Sequence, residues 1–509
     1  MHLKTYRVWA AAIGLVLSML WCICPCAAME GTADIAETYK SYIYDQRGNP
    51  VAAPELYRFI GSVSGESLGL GALSKPADLF TDRNGDIYLA DSGNHRILIM
   101  DSRLRLEQVI DQVLIDGVPE SLNNPQGVFV TADGDIYIAD TGHARVLAMR
   151  RDGSVFRIYT KPTEAVFPQQ TEFSPYKIAL DRAGSLYVVC HNVFQGLVSY
   201  DAQGTFTGFF GSNPVELTWS QLVSQIWKNI FTQEQVASMQ KSLPVEYANV
   251  YIGTDNFIYT ATRSTQNSLD EIKKMNALGN NVLQFDDTGV FYKKNDFGDL
   301  KKGRLHGNTL DSRFEDVFTD ENGLIYALDS ERCRVFIYDK ECDLLGIVSG
   351  AGDQGGTTRV PAAVEKTGEQ LLILDRDKGA MSVFVLTDYG RTLLEARELY
   401  QEGNYEDSLR LWQEVKCRNA NLPMTYRSMG KIYYMSGAYS QAMEQFKLCE
   451  DREGYSQAYR EIRKDFVRKN LLWMFLGGIL VLFLINRLVA WFLVYTGARL
   501  RPERRRRHD

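Results

Sequence analysis

Three segments place an aspartate five residues before an arginine: Asp91-Ser-Gly-Asn-His-Arg96, Asp140-Thr-Gly-His-Ala-Arg145 and Asp329-Ser-Glu-Arg-Cys-Arg334. A carboxylate beside a guanidinium could serve acid–base chemistry. An Asp that ends one strand and an Arg that opens the next are equally well placed to pair and to cap the intervening turn. The pair recurs because its surroundings recur, so Asp91, Arg96, Asp140, Arg145, Asp329 and Arg334 are read as framework. Beyond the N-terminal leader the histidines are His95, His143, His191, His306 and His508. His95 stands one residue before its arginine and His143 two before, so they are not equivalent positions and define no converging ligand set. Cys190, Cys333, Cys342, Cys417 and Cys449 are odd in number and lack zinc-ligand spacing. A Cys333–Cys342 bridge would span a predicted hairpin, but the two stand several residues out of register. No nucleophile elbow, phosphate loop or zincin motif occurs. No catalytic residue and no metal site is assigned, and a divalent cation is the one cofactor left open.

Binding chemistry is concentrated elsewhere. In the insertion 214–244, Val223, Ile226, Trp227, Ile230 and Phe231 recur at i, i+3, i+4, i+7 and i+8, the face of an amphipathic helix, and Thr232 with Gln235 forms a capping box for a second. In 263–280, Ser268 with Glu271 forms another capping box ahead of Ile272 and Met275. The two insertions predict a helical lid, with Trp219, Trp227, Phe231 and Met275 as first contacts for a protein partner or a polymeric, carbohydrate-like ligand.

The elements that must position these residues come from a repeat. Pro76–Asp91 recurs as Pro125–Asp140 and again as Pro175–Cys190, with weaker copies at Val250–Thr262, Phe314–Asp329 and Val360–Asp375. Each copy reads as a short strand, an Asp/Asn/Gly turn, a strand like Ile-Tyr-Ile-Ala, and a third such as Arg96–Met100 or Arg145–Met149; Phe285–Phe291 supplies an example of a fourth. Four strands per unit at this period predict a mainly β chain folded as a six-bladed β-propeller. Ser41–Gly61 reads as an extra strand pair that latches the last blade. The Asp-to-Arg segments resemble the NHL repeat over about residues 60–390, clearly in the first two copies, fairly in the fifth and poorly in the third and fourth, where Cys190 and Thr262 replace the Asp. The resemblance implies an NHL-type propeller over 29–390. Lactonases of this general shape hold a cation with carboxylate and Asn ligands in the channel, and an amidating lyase similar to NHL propellers uses several His around zinc. The resemblance therefore also implies an alternative, a membrane-tethered metal-dependent hydrolase or lyase. An intracellular ligase of the NHL type is disfavoured because no RING-type cysteine pattern precedes the repeats.

After Gly390 the pattern becomes helical. Gly403, Tyr405, Ser408 and Trp412 are echoed 34 residues later by Gly437, Tyr439, Ala442 and Phe446. This spacing resembles the tetratricopeptide repeat, which implies a stalk of helix pairs over 391–466. Lys4 and Arg7, the apolar run Val8–Cys24 and Cys26-Ala27-Ala28 have the layout of a signal peptide over 1–28. Leu471–Ile485 is apolar and extends into one membrane span, 470–492, with Arg487 snorkelling and Trp491 and Tyr495 in an aromatic belt. A cleaved signal places the bulk outside and the basic tail 493–509 in the cytoplasm.

Composition agrees with this layout. The chain has 509 residues, is 45% hydrophobic and 23% charged, and carries a net charge of −7. These values exclude wholesale disorder, collagen and a polytopic transporter, and the acidic balance argues against nucleic acid as the main partner. The expected function is extracytoplasmic binding or scaffolding, with the stalk and membrane helix joining a membrane complex, transport among them.

Overall fold

A computed structural model describes residues 41–45, 50–211, 246–262, 271–283, 297–299 and 312–499. The strands run β1 (Tyr42–Tyr44), β2 (Pro50–Ala52), β3 (Tyr57–Ser64), β4 (Asp78–Thr81), β5 (Ile87–Asp91), β6 (Arg96–Met100) and β7 (Leu106–Ile110). There follow β8 (Gln112–Ile115), β9 (Val118–Ser121), β10 (Pro125–Val130), β11 (Ile136–Asp140), β12 (Arg145–Met149) and β13 (Val155–Tyr159). Next come β14 (Pro175–Leu180), β15 (Leu186–Cys190), β16 (Leu197–Tyr200), β17 (Phe206–Phe210), β18 (Tyr247–Ile252), β19 (Ile258–Thr262) and β20 (Ile272–Met275). The last are β21 (Phe314–Thr319), β22 (Ile325–Asp329), β23 (Arg334–Tyr338), β24 (Leu344–Val348), β25 (Pro361–Thr367), β26 (Gln370–Asp375) and β27 (Ala380–Leu386).

These strands form six antiparallel blades, β4–β7, β10–β13, β14–β17, β18–β20, β21–β24 and β25–β27 with β3. The turn joining the first two strands of a blade has one dominant chemistry. Asp82 Oδ1 accepts from the amides of Asn84 and Asp86 at 2.8 and 2.9 Å, and Asp181 and Asp320 do the same in their blades. The turn then needs a left-handed residue, Gly85 at φ 85° and its counterparts Gly134, Gly184 and Gly323. Strands buried on both faces are nearly all apolar, so neighbouring blades share their cores: Leu79, Leu89 and Leu98 of the first pack with Ala362, Leu372 and Met381 of the sixth.

The segment expected to latch the ring, Ser41–Gly61, does so only through its last residues, which open β3. The outer strand of the sixth blade is β3, with Val63 opposite Met381 and Arg58 opposite Val385. The earlier pair β1–β2 is a separate hairpin that packs beside β24, where Ser41 Oγ donates to Ile347 O at 3.3 Å. Its Tyr44 hydroxyl donates to Asp299 Oδ1 at 2.8 Å, and Arg332 pairs with the same carboxylate at 2.9 Å. β3 closes the ring because it is long enough to pair along the whole of β27.

The predicted helical insertion over 263–280 is corrected in its second half. Residues 272–275 are a strand, with Ala261 opposite Ile272 and Ile258 opposite Met275. The i, i+3 spacing misleads because a blade strand is packed on both faces, so Ile272 and Met275 are both buried without occupying one helical stripe. Residues 263–270 lie outside the described residues, as do 214–244 and the strand expected at Phe285. Cys333 and Cys342 are not bridged: the five-residue strand β23 separates them along its length, too far for a disulfide.

The helical region comprises α1 (Asp388–Gln401), α2 (Tyr405–Arg418), α3 (Pro423–Met435), α4 (Tyr439–Leu448) and α5 (Arg452–Arg499). Thr387 caps α1 by accepting from Gly390 N at 3.0 Å, and Pro423 opens α3, where its missing N–H costs nothing. Gly403 and Gly437 turn the chain at φ 83° and 79°. Tyr405 then packs on Tyr400 with ring centroids 5.6 Å apart, and Tyr439 on Tyr434 at 5.4 Å. Leu393, Trp412 and Met429 share one core with Tyr326 and Phe384 of the last two blades. Polar ties reinforce that seam: Arg427 pairs with Asp343, Lys431 lies 3.7 Å from Glu341, and Arg397 Nη1 donates to Asn322 O at 3.1 Å.

Candidate functional site

The innermost strand of each blade faces the central channel, and in five blades its register breaks just after the first residue. Such shifts occur at Pro125/Gly127, Pro175/Lys177, Tyr247/Asn249, Phe314/Asp316 and Pro361/Ala363. The equivalent residue of the first blade is Asp78, opposite Ala90 as Gly127 is opposite Ala139. Six equivalent positions around the axis thus hold Asp78, Gly127, Lys177, Asn249, Asp316 and Ala363.

The four polar members are buried and joined across the channel. Lys177 Nζ donates to Asp78 Oδ1 and lies 3.6 Å from Asp316 Oδ1. Asn249 Nδ2 donates to Asp316 Oδ1 and, at 2.8 Å, to Val317 O. The remaining carboxylate oxygens take amides from the following blades, Asp78 Oδ2 from Val128 N at 2.9 Å and Asp316 Oδ2 from Val364 N at 2.8 Å. The second blade can carry only glycine at this position, since a Cβ on Gly127 would lie 2.5 Å from Tyr176 O of the neighbouring blade. Two residues further along each strand stand Phe80, Phe129, Ala179, Tyr251, Phe318 and Glu365, with Phe80 and Phe129 at 4.9 Å and Tyr251 and Phe318 at 6.1 Å.

Burial dominates the electrostatics. It pushes Asp316 up to about 6 against the opposing pull of Lys177, and it raises Asp78 and the deeper Glu365 as well. Burial disfavours the Lys177 ammonium too, but the Asp316 and Asp78 carboxylates outweigh it and hold the group charged. Two carboxylates and an asparagine are donors suited to a divalent cation. The ammonium of Lys177 lies among them, so these residues do not fit a channel metal.

The framework pairs divide into two kinds. Asp91 Oδ1 accepts from Ser74 N at 2.8 Å while Oδ2 takes Arg96 Nε and Asn94 Nδ2, each at 2.8 Å. Asp140 repeats this with Asn123 N, Arg145 Nε and His143 Nδ1, all at 2.8 Å. Asp329 accepts from Arg313 N at 2.9 Å, yet Arg334 turns to Tyr42 and to Asp299 Oδ2 at 3.3 Å. The β1–β2 hairpin, absent from the other blades, supplies one of those partners, Tyr42, and Asp299 supplies the other. Asp375 plays the capping role in the sixth blade, accepting from Arg359 N at 2.6 Å.

The described histidines do not converge. His95 Nδ1 accepts from Asn124 N at 2.8 Å, His143 takes the place of Asn94 in its blade, and His191 stacks on Tyr176 at 4.0 Å beside Gln126. His306 lies outside the described residues, as do Trp219, Trp227 and Phe231. Met275 is corrected: it is buried in β20 with its sulfur 3.8 Å from the Tyr247 hydroxyl, and it presents no surface to a ligand. Asp339, Glu341 and Asp343 cluster closely, but they form the β23–β24 turn against α3, where Arg427 and Lys431 meet them. The channel network escaped the sequence reading. Its only trace is one repeat position, two residues after Pro76, Pro125, Pro175 and Pro361, that carries charge in some copies and none in others.

The chain is a six-bladed β-propeller with NHL repeats and a C-terminal helical region. The NHL repeat family matches residues 73–100 and 122–148. No curated protein matches the chain. Among solved structures it is similar to virginiamycin B lyase from Staphylococcus aureus, with 10% identity and a TM-score of 0.38 over 62% of this chain and 97% of that one. A catalytically inactive form of that lyase with quinupristin gives 11% identity and a TM-score of 0.37 over 68% and 99%. A protein of unknown function from Bacteroides thetaiotaomicron gives 12% identity and a TM-score of 0.39 over 68% and 76%.

Proposed function

We propose that the protein is a membrane-anchored extracytoplasmic binding or scaffold protein, in which one propeller face captures a protein or polymeric ligand. The observation that carries this reading is the buried channel network, where Lys177 engages the carboxylates that a cation-dependent hydrolase or lyase would need free. The face assignment rests on strand direction. In a four-stranded antiparallel blade the second-to-third turn and the connection to the next blade share one end, and the stretches 214–244 and 263–270 leave β17 and β19 there. The helical region holds the opposite end, through Asn322 in a first-to-second turn and Asp343 in a third-to-fourth turn. The end of the blades from which these stretches leave is opposite the helical seam, and Trp219, Trp227 and Phe231 are the first contacts proposed for it.

The two helix pairs, repeating at Gly403/Gly437 and Tyr405/Tyr439, serve as a tetratricopeptide-like spacer with lateral contact to protein. Residues 1–28 act as a signal peptide. α5 crosses the membrane: it is long, and its most apolar 18 residues have a mean hydropathy of 2.1 and are unburied. The basic tail lies in the cytoplasm. The test is co-purification from membranes in mild detergent with full-length protein and a Trp219–Lys241 deletion. A stoichiometric partner lost on deletion, at unchanged melting temperature, is the expected result, and its full retention overturns the assignment of that face. Stoichiometric bound metal, with activity abolished in both His95→Ala and His191→Ala, would overturn the non-catalytic reading.

A further inference from the structure

Resting on the membrane-span reading, we infer that Arg487 is the contact point for a carboxylate carried by a membrane-spanning helix of another protein. α5 continues unbroken past the span expected at 470–492 to Arg499. The apolar stretch accordingly runs from Leu471 to Tyr495, interrupted by Asn486 and Arg487 alone. At 1.5 Å per residue it is about 37 Å long, enough to cross a hydrocarbon core of about 30 Å. Centred on that stretch, the core places Arg487 about 6 Å from the midplane and about 12 Å along the axis from Tyr495.

Snorkelling is opposed by geometry. Side chains on a helix lean toward its N-terminus. Arg487 lies in the C-terminal half, so its lean points into the bilayer and away from the nearer interface. Shifting the helix to bring Arg487 to that interface would push Phe492, Leu493 and Val494 into water, and all three are exposed on the helix. A charged side chain at this depth is costly to bury in hydrocarbon and is found paired or facing a polar neighbour.

The chain offers no such partner among the described residues. No Asp or Glu lies between Leu471 and Gly497. The nearest acid upstream, Asp465, pairs with Lys469 at 2.7 Å and is about 33 Å away along the axis. A second copy of the chain cannot supply one either, because parallel copies set Arg487 against Arg487. Charge complementarity leaves a foreign helix with an Asp or Glu at matching depth, and Asn486 beside Arg487 offers it a further donor.

The experiment uses the full chain in phosphatidylcholine vesicles and, as probe, a labelled oligoleucine transmembrane peptide with one Asp at matching depth, read by energy transfer. The expected result is association about tenfold tighter than with the all-Leu peptide, abolished in Arg487→Leu and unchanged when anionic phosphatidylserine is added. No preference for the Asp peptide, a preference that survives Arg487→Leu, or one that anionic lipid abolishes would each overturn the proposal, the last by assigning Arg487 to headgroups. Alkaline carbonate extraction separates the two levels. Release of the chain overturns the membrane span and this proposal together, whereas retention without Asp preference overturns the Arg487 pairing alone.

Discussion

Replacing Lys177 by Met keeps the length and bulk of the side chain but removes the one cation of the channel network among the described residues. Asp78 and Asp316, both buried, then face one another across the axis with no ammonium between them. A unit pair near 4 Å is worth about 4 kcal/mol at an effective dielectric of about 20, and orphaning a buried charge costs roughly 3–5 kcal/mol. Lys177→Met should therefore lose about that much stability near neutral pH. The loss must depend on pH, with a sign set by burial. Asp316 is pushed up to about 6 from an ordinary 3.8 even with Lys177 present. A carboxylate whose folded value lies above its unfolded value favours the folded state when protonated, so its contribution is full below about 4 and is lost as pH rises through about 6. Without Lys177 both carboxylates shift higher, and the variant recovers on acidification. Thermal unfolding of the full chain in detergent, followed by intrinsic fluorescence at about pH 8 and about pH 5, reads both effects. A triple variant that adds Asp78→Asn and Asp316→Asn should regain most of the loss. A Lys177→Met protein that melts with the parent, or whose deficit is the same at both pH values, would refute the idea of a charge-paired channel network.

Two further outcomes follow from the same geometry. Asp140→Ala strips a buried carboxylate from Asn123 N and Arg145 and should cost about 2–4 kcal/mol in urea unfolding, while Arg145, also paired with Glu120, stays partly satisfied; a cost below about 0.5 kcal/mol would show that the turn does not depend on it. Deleting residues 57–64 exposes the edge of β27, so the protein should lose its cooperative transition and self-associate in size-exclusion chromatography, whereas a monodisperse, cooperatively melting deletion would show that β3 does not close the ring.

Much of the architecture could be read from local pattern. Blade boundaries follow from Asp-Gly turns and runs such as Ile-Tyr-Ile-Ala, and the capping and pairing of Asp91 and Asp140 involve residues no more than 17 apart. The helix pairs after Gly390 are similarly local, marked by glycines that must adopt positive φ and by tyrosines that stack across the turn. Periodicity alone misassigns Ile272 and Met275, because a strand buried on both faces has no polar side to reveal it.

What the sequence determined by itself, then, is the repeating unit and its internal bonds. Tertiary structure decided the rest: that β3 and not the β1–β2 hairpin closes the ring, that Arg334 leaves Asp329 for Asp299, and that Lys177 meets a carboxylate 99 residues away. The physical reason is closure. Six equivalent positions are ordinary strand residues in an open chain, and they become one buried network only when the ring brings all six first strands around a single axis.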